Sequence, residues 1–370
     1  MRKPQLYIIF LLILSSCGTS KKINTENVTL RFLDDFVIPE GLEIKGTKVG
    51  GLSGIEFHDG EYYLVSDHPG NPRFYKANIE ITGRSIDTVS IYDVIVLNKD
   101  TPFFTGNHLD LEGIRVEKER IILSSEGSIQ NSKDPSVFYI TPEGDYISHF
   151  TLPEYLLSSV DQKPRNNGVF EGLAESHDQS GYWTGMELPL NKDGSKPKLF
   201  PTKSPVRITH FDKETGDATR QFVMQLEHIT KIPWLYFAVN GLTELLEYAP
   251  NKFLVLERAF SAGHGTNGNT VRIFDVDATN ATNTVNEKNL RKTEYIPAEK
   301  NLIFDFKQYK KSLKEQIIDN LEGMTFGPDL PNGNKTILLI SDDNFSSLGR
   351  QITQIILLEL EIKDHINVKP

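Results

Sequence analysis

Leu111-Glu112-Gly113-Ile114 begins a predicted hairpin that ends at Ser125-Glu126, and the same kind of phrase returns four more times. Each copy has an apolar residue, a small or acidic residue, usually a glycine, and a second apolar residue, and each hairpin ends in an acid. The other copies are Leu52-Ser53-Gly54-Ile55 with Ser66-Asp67, Phe170-Glu171-Gly172-Leu173 with Met186-Glu187, Leu242-Thr243-Glu244-Leu245 with Leu256-Glu257, and Leu321-Glu322-Gly323-Met324 with Ser341-Asp342. A strand-rich repeat of roughly 60 to 80 residues is typical of a β-propeller with one copy per blade.

The repeats predict an all-β propeller of five blades, or of six if residues 263–298 contain a further, degenerate blade. Runs rich in β-branched and aromatic residues follow each hairpin, separated by Gly, Pro, Asn and Asp as turns require. The last copy offers three strands, whereas residues 28–38 precede the first copy without a blade of their own. Because an unpaired sheet edge is unfavourable, we predict that this N-terminal strand completes the last blade and closes the ring.

Two segments interrupt the repeat. Residues 188–204 are rich in Lys and Pro and predict a long loop within the third blade. Residues 303–319 carry apolar side chains at helical spacing and predict an amphipathic helix before the fifth copy. The apolar positions of that segment are Phe306, Tyr309, Leu313 and Ile317.

The N-terminus resembles a bacterial lipoprotein signal. Met1-Arg2-Lys3 precedes an apolar run that is too short for a stable membrane span, and Leu14-Ser15-Ser16-Cys17 resembles a lipobox. We therefore expect a signal peptide over residues 1–16, lipidation of Cys17, a tether over residues 17–27 and a propeller domain over residues 28–370. Gly18 is not the aspartate that favours inner-membrane retention, so we expect an outer-membrane lipoprotein of the bacterial envelope that faces the periplasm, with exposure at the cell surface as the alternative.

Composition restricts the class of partner. The formal net charge is −10, and we find no basic run interleaved with aromatic residues, so nucleic-acid binding is not expected. Cys17 is the single cysteine, which excludes a disulfide within the chain. We expect a monomer, anchored to the membrane by lipid, that takes a small anionic or ester substrate. An anionic substrate would need a local cation, either a metal ion or arginine.

Antiparallel pairing within each hairpin places the start of its first strand beside the end of its second. If the first strands line the channel, eight acids meet at one mouth of it: Asp67, Glu112, Glu126, Glu171, Glu187, Glu257, Glu322 and Asp342. Two unit charges ~5–6 Å apart repel by roughly 3 kcal/mol at an effective dielectric constant near 20. Protonation, arginines such as Arg115 and Arg258, or a bound cation must offset that repulsion.

Calcium suits such a mouth, because Ca²⁺ takes six to eight oxygen ligands. We expect Asp67, Glu126, Glu187, Glu257, Glu322 and Asp342 to bind it. The remaining polar residues predict a catalytic set of His68, Glu112, Glu171 and Arg258. Three alternatives stay open: acids that accept backbone N–H groups and tie blades together, His68 as a surface histidine, and Arg258 as a counter-ion for Glu257.

Taken together, these phrases resemble the phytase-like domain family, which is also described as having esterase-like activity of phytase. The resemblance rests on the repeats quoted above, on Glu257-Arg258-Ala259-Phe260 and on Ser341-Asp342-Asp343-Asn344-Phe345, and it spans about residues 36–360. It implies a propeller and a hydrolase that acts on phosphate or other esters. The alternatives are a lactonase-type propeller enzyme and a non-enzymatic binding module of the envelope.

Overall fold

A computed structural model describes residues 28–98, 100–161, 164–346 and 349–363. The predicted signal peptide, Cys17 and the tether lie outside these residues. The described chain forms five four-stranded antiparallel sheets and one two-stranded sheet, with a single short α-helix among the described residues. In the same part of the chain we find no helical segment with the length and apolar character of a transmembrane span.

The strands follow the chain in blade order. Before the first blade come β1 (Val28–Val37), β2 (Glu43–Ile44) and β3 (Thr47–Lys48). The first blade consists of β4 (Leu52–His58), β5 (Glu61–Ser66), β6 (Arg73–Thr82) and β7 (Ser85–Val96), and α1 (Pro102–Gly106) follows it. The second blade consists of β8 (Leu111–Val116), β9 (Ile121–Ser125), β10 (Ser136–Ile140) and β11 (Tyr146–His149). The third consists of β12 (Phe170–Glu175), β13 (Gly181–Met186), β14 (Pro205–Asp212) and β15 (Ala218–Gln225).

The fourth blade consists of β16 (Ala238–Ala249), β17 (Lys252–Ser261), β18 (Asn269–Asp277) and β19 (Glu299–Asp305). The fifth has β20 (Asn320–Phe326), β21 (Lys335–Asp342) and β22 (Gln354–Ile362). Short 3₁₀ turns lie at Ile129–Asn131, Glu154–Leu156, Gly265–Asn267, Leu290–Lys292, Phe306–Gln308, Lys310–Ser312 and Asn344–Ser346.

The ring closes through the N-terminal strand, as predicted. β1 pairs antiparallel with β22, from Val28 opposite Ile362 to Val37 opposite Gln354, and supplies the fourth strand of the fifth blade. The first strands β4, β8, β12, β16 and β20 contact one another in that order, and β20 returns to β4. The protein is therefore a five-bladed propeller, and residues 263–298 hold no sixth blade. The described strands of the five sheets all lie within residues 28–362.

The repeated phrase encodes a β-bulge. In all five first strands the pairing register shifts at the phrase, for example between Leu52 and Gly54 and between Leu321 and Gly323. The glycine is needed because the first strands approach closely at this point. A Cβ atom on Gly323 would lie 2.8 Å from the Cα atom of Gly54 in the next blade. The phrase thus bends each first strand around the channel.

Five apolar clusters hold the ring together, one at each interface between neighbouring blades. The interface of the fifth and first blades, for example, joins Leu338 and Ile355 to Leu52 and Ile55, all fully buried. A blade cannot bury both of its faces alone, so the propeller becomes stable when each sheet packs on two neighbours.

The helix predicted for residues 303–319 is wrong. β19 occupies its start, and the 3₁₀ turns Phe306–Gln308 and Lys310–Ser312 follow. Two successive i→i+3 turns bury side chains at nearly the same spacing as a helix, so Phe306 and Leu313 still enter the core. The long loop predicted for residues 188–204 is present and is fixed by the buried pair of Asp193 and Arg207, whose Oδ2 and Nε atoms are 2.7 Å apart.

Candidate metal and active site

Eight carboxyl groups gather at one end of the channel and form what we call the acidic cluster. Its members come from the starts of first strands or the ends of second strands: Asp67, Asp110, Glu112, Glu126, Glu171, Glu187, Glu322 and Asp342. Antiparallel pairing brings these positions to the same end of every blade. Most members are buried, and Asp342 is 2% exposed. The cluster is thus recessed within the ring.

Glu126 is the centre of this cluster. Its carboxylate lies with Asp110 and Glu112 in one group and with Glu171 and Glu187 in a second, and within each group the nearest oxygens all lie within 4.8 Å of one another. The Glu126 carboxylate also accepts the backbone N–H groups of residues 168 and 169 at 2.8 and 2.9 Å. These bonds fix its position between the second and third blades.

A second part of the cluster belongs to the fifth blade. The side-chain amide of Asn320 donates to Glu322 at 2.8 Å and to Asp342 at 3.3 Å. Arg258, from the end of β17, donates through Nη2 to Glu322 at 2.6 Å. Its buried Nε–H has no hydrogen-bond partner among the described residues. Arg258 therefore neutralises part of the cluster and retains a donor for a further anionic oxygen.

Burial and mutual repulsion raise the pKa values of these acids. Burial, followed by the Glu322 charge, raises the pKa of Asp67 to about 7. Burial raises the pKa of Asp110 to about 8 with help from Glu126, and that of Glu187 to about 8 although Arg258 opposes the change. The pKa values of Glu112, Glu171 and Asp342 are raised well above their usual range by the same causes. The acidic cluster is therefore stabilised by bound protons or by a bound metal cation.

The donor set fits a hard cation such as calcium. Calcium–oxygen distances are about 2.3–2.6 Å, so ligands on opposite sides of the ion lie about 4.6–5.2 Å apart. The two carboxylate groups around Glu126 match that span. The buried Oδ1 atom of Asp67 accepts no hydrogen bond among the described residues, which leaves a buried acceptor for a cation. Each group offers three carboxylates toward the six to eight oxygen ligands that Ca²⁺ takes.

Glu257 does not belong to the acidic cluster, so its expected place there was wrong. Leu242 pairs with Glu257, whereas the matching residues Leu52 and Leu111 pair with Ser66 and Ser125. The comparison of the repeats was therefore wrong by one residue in the fourth blade, where Arg258 occupies the position that acids occupy in the other blades. Adjacent strand residues point to opposite faces, so the Glu257 side chain instead forms an ion pair with Lys300.

His68 directly follows Asp67 of the acidic cluster, but unlike most of the acids it is exposed. Its ring contacts Phe345 edge-on at 5.3 Å between centroids, and its Nδ1 atom accepts the N–H of Asn71 at 3.2 Å. Asn344 and Phe345 both have positive φ angles, 43° and 51°, so the loop that contains them stores backbone strain.

Asp110 is a member of the acidic cluster that sequence reasoning missed. It directly precedes the repeat, as Asn320 does in the fifth blade.

Arg115 and Glu244 close the channel beneath the acidic cluster. Arg115 is 3% exposed, and its guanidinium donates to the carbonyl oxygens of Ile55 and Met324 and to Glu244, the last at 3.2 Å. Glu244 stands where other repeats have glycine, and it accepts the N–H of Leu173 at 2.9 Å. The pair thus links all five blades across the channel.

These features define a class of protein: a five-bladed propeller with a recessed carboxylate site at one end of its channel. The chain belongs to the phytase-like family, described by the esterase-like activity of phytase, which it matches over residues 47–345. A comparison with curated proteins finds no match.

Solved structures with a similar fold are very different in sequence. The chain resembles a thermostable family-43 glycoside hydrolase with a TM-score of 0.50 and 9% identity, over 90% of this chain and 94% of that one. It also resembles the β-fructofuranosidase BmSUC1 of Bombyx mori, with a TM-score of 0.44 and 10% identity over 90% and 63%. For glutaminyl cyclase of Myxococcus xanthus the TM-score is 0.42, with 10% identity over 91% and 98%. At such identities the likeness concerns the fold.

Proposed function

We propose that the protein is a metal-assisted hydrolase of phosphate or other esters and that its active site is the acidic cluster. One observation carries the proposal: eight mostly buried carboxyl groups and one arginine meet at one end of the channel. Structural acids in a propeller have no need to lie within repulsive distance of one another. Membership of the phytase-like family supports ester hydrolysis as the reaction class.

Calcium is the cation we propose, held by Glu126 with Asp110 and Glu112 or with Glu171 and Glu187. When bound, it would polarise a phosphoryl or carbonyl oxygen of the substrate. Asp67, Glu322 and Asp342 surround these groups and would add negative charge that favours a divalent ion.

The protein groups supply the proton transfers and the anion contact. Burial and then the charge of Glu171 raise the pKa of Glu112, whereas burial and the charges of Glu126 and Glu187 raise that of Glu171. Whichever of Glu112 and Glu171 does not bind calcium would accept the proton of the attacking water and then donate it to the leaving oxygen. The free Nε–H of Arg258 would hold an anionic substrate oxygen. His68, which is exposed, would serve as proton acceptor at the rim.

The test is hydrolysis of bis(4-nitrophenyl) phosphate, 4-nitrophenyl phosphate and 4-nitrophenyl acetate by the segment 28–370, with calcium or with EDTA. We expect turnover with calcium and none in EDTA. Glu112→Gln and Glu171→Gln should each lower kcat about 10²-fold or more. The control is Glu175→Gln, on the same strand as Glu171 but at the other end of the channel, paired with Lys213.

Two results would change the proposal. Full activity in EDTA would remove the metal role while leaving the hydrolase. Absence of turnover on all three substrates would overturn ester hydrolysis. Hydrolysis of a sugar lactone alone would then indicate a lactonase-type enzyme, and ligand binding without turnover would indicate a binding module.

We further propose that the protein works as a lipid-anchored monomer in the bacterial envelope, facing the periplasm. This rests on the lipobox-like residues 14–17 and the apolar run before them. Labelling with radioactive palmitate should mark the wild-type chain and not Cys17→Ser. Equal labelling of both would contradict the anchor.

A further inference from the structure

The largest apolar protrusion of the described surface is a six-residue segment before the fourth blade. Residues 232–237, which we call the apolar loop, contain Ile232, Trp234, Leu235, Tyr236 and Phe237 with exposures of 70%, 71%, 67%, 102% and 57%. Exposed side chains of this kind normally occur singly on a soluble protein. Five within six residues indicate a surface that contacts something apolar.

The backbone of the apolar loop is held in place. The N–H of Trp234 donates to the carbonyl of Ala262 at 2.9 Å, and the N–H of Ala262 donates to the carbonyl of Phe237 at 2.9 Å. His264 bonds to the carbonyl of Ile232 at 2.8 Å, and its ring lies 4.4 Å from that of Trp234. The loop therefore projects its side chains from a fixed base.

Lysines surround this base. The Nζ atoms of Lys231 and Lys310 both donate to Asn267, in the turn beside His264. Lys307 is exposed on the adjoining turn. Burial lowers the pKa of Lys231, and the charges of Lys310 and Lys307 lower it further. Among the described residues none of these three lysines forms an ion pair. In a chain of net charge −10, they make a local basic patch.

The apolar loop and the acidic cluster lie at the same end of the propeller. The loop and Lys231 lie on the connection from β15 to β16, and Lys307 and Lys310 lie on the connection from β19 to β20. His264 and Asn267, which contact them, lie on the connection from β17 to β18. All three connections lie at the end of the fourth blade that contains the paired residues Gly241 and Arg258. The acids there are recessed, whereas the loop and Lys307 are exposed, so an approaching surface meets apolar and basic groups first.

We propose that the apolar loop inserts into the interface of an anionic phospholipid membrane, with Lys231, Lys307 and Lys310 contacting lipid headgroups. Trp and Tyr favour the headgroup level because each has an apolar body and a polar tip. Apolar side chains next to lysines are the combination that binds an anionic bilayer surface. A protein partner is disfavoured because a stable interface needs about 20–30 residues a side, far more than this loop provides.

The chain contains its own probe for the test. It has two tryptophans, and Trp183 is 3% exposed whereas Trp234 is 71% exposed. The segment 28–370 lacks the predicted signal and Cys17, so its binding to vesicles reports on the folded domain. We would add phosphatidylcholine vesicles with or without phosphatidylglycerol, and measure co-sedimentation and tryptophan emission.

We expect binding to the phosphatidylglycerol vesicles, a blue shift of Trp234 emission, and weaker binding at high salt. Trp234→Ser with Tyr236→Ser should lower binding about tenfold or more. Lys307→Glu should lower binding to the anionic vesicles alone. The controls are Ile296→Ser, which is 62% exposed on the connection between β18 and β19, and Lys118→Glu on the exposed hairpin turn of the second blade.

Three results would overturn the proposal. The first is no binding of the parent segment to phosphatidylglycerol vesicles, and the second is equal binding of the double variant. The third is a parent segment that does not bind vesicles but forms a salt-resistant dimer, which the double variant does not form. The last would assign the loop to a second copy of the chain. Should the double variant unfold, Tyr236→Ser alone is the substitute, because its side chain is fully exposed.

Discussion

Glu126 is the residue on which the proposed calcium site depends most, because it belongs to both carboxylate groups. Glu126→Gln keeps an acceptor for the N–H groups of residues 168 and 169 but removes the charge. We expect calcium affinity to fall about tenfold or more, measured by isothermal titration calorimetry. Glu257→Gln is the control, since Glu257 pairs with Lys300 outside the cluster. Equal losses in the two variants would place the ion elsewhere.

Arg115 is the residue that ties the channel together. Arg115→Met leaves Glu244 buried without its partner, and we expect a loss of about 3–5 kcal/mol in the free energy of unfolding. Since burial already raises the pKa of Glu244 to about 7, protonation relieves the loss at low pH, and the cost should be larger near pH 8 than near pH 5.

The double variant Arg115→Met, Glu244→Gln is the control for that experiment. It removes both charges and should be more stable than Arg115→Met alone. Urea denaturation at the two pH values measures all three proteins. A single variant as stable as the parent would show that the pair does not hold the blades.

At the scale of the element, β1 decides whether the ring closes. Leu30 of β1 is 4% exposed and packs in the cluster between the fourth and fifth blades. Leu30→Ala should lower the free energy of unfolding by about 2–5 kcal/mol, as measured by urea denaturation. Thr29→Ala, at the neighbouring half-buried position, should change it by about 0.5 kcal/mol. Similar values for both would mean that the fifth blade is stable without β1.

The β-bulge in each first strand explains why the repeat can be recognised in the sequence. Glycine is required where first strands meet, and the same phrase therefore recurs in each blade. The fourth blade departs from the pattern because Glu244 replaces glycine and reaches Arg115. A glycine at this position has no side chain, so the other copies cannot form such an ion pair across the channel.

For the whole molecule, the acidic cluster makes stability depend on pH and on calcium. The pKa values of Asp67, Asp110 and Glu187 are raised to about 7, 8 and 8, so these groups favour the folded state when protonated. Their contribution is complete below about pH 4 and is lost as the pH rises through about 7 to 8. In EDTA, we expect the Tm to fall between about pH 5 and pH 8.

Calcium should reverse that fall, because it binds the ionised carboxylates and competes with protons. The Tm increase caused by calcium is expected to be larger near pH 8 than near pH 5. Thermal melts in EDTA and in calcium at both pH values measure this. Groups with a lowered pKa, such as Glu117 at about 2, where the Lys213, Tyr182 and Arg120 hydrogen bonds outweigh burial, act below this window. A Tm in EDTA that rises with pH would contradict the argument.

The sequence by itself determined the all-β class, the five blades, closure by the N-terminal strand and the convergence of most acids at one end. These properties follow from local patterns, because strand alternation, turn residues and the spacing of a repeat are written along the chain. Even Asp110 has a local signal, since it directly precedes the repeated phrase.

The tertiary structure decided which acids meet, that Glu257 turns away to Lys300, that residues 303–319 form a strand end and two 3₁₀ turns, and that residues 232–237 protrude. A one-residue change of register exchanges the two faces of a strand, and sequence spacing alone does not fix the register of a pair. Exposure likewise depends on what packs against a segment from distant parts of the chain, so an apolar run reads the same whether it is buried or exposed.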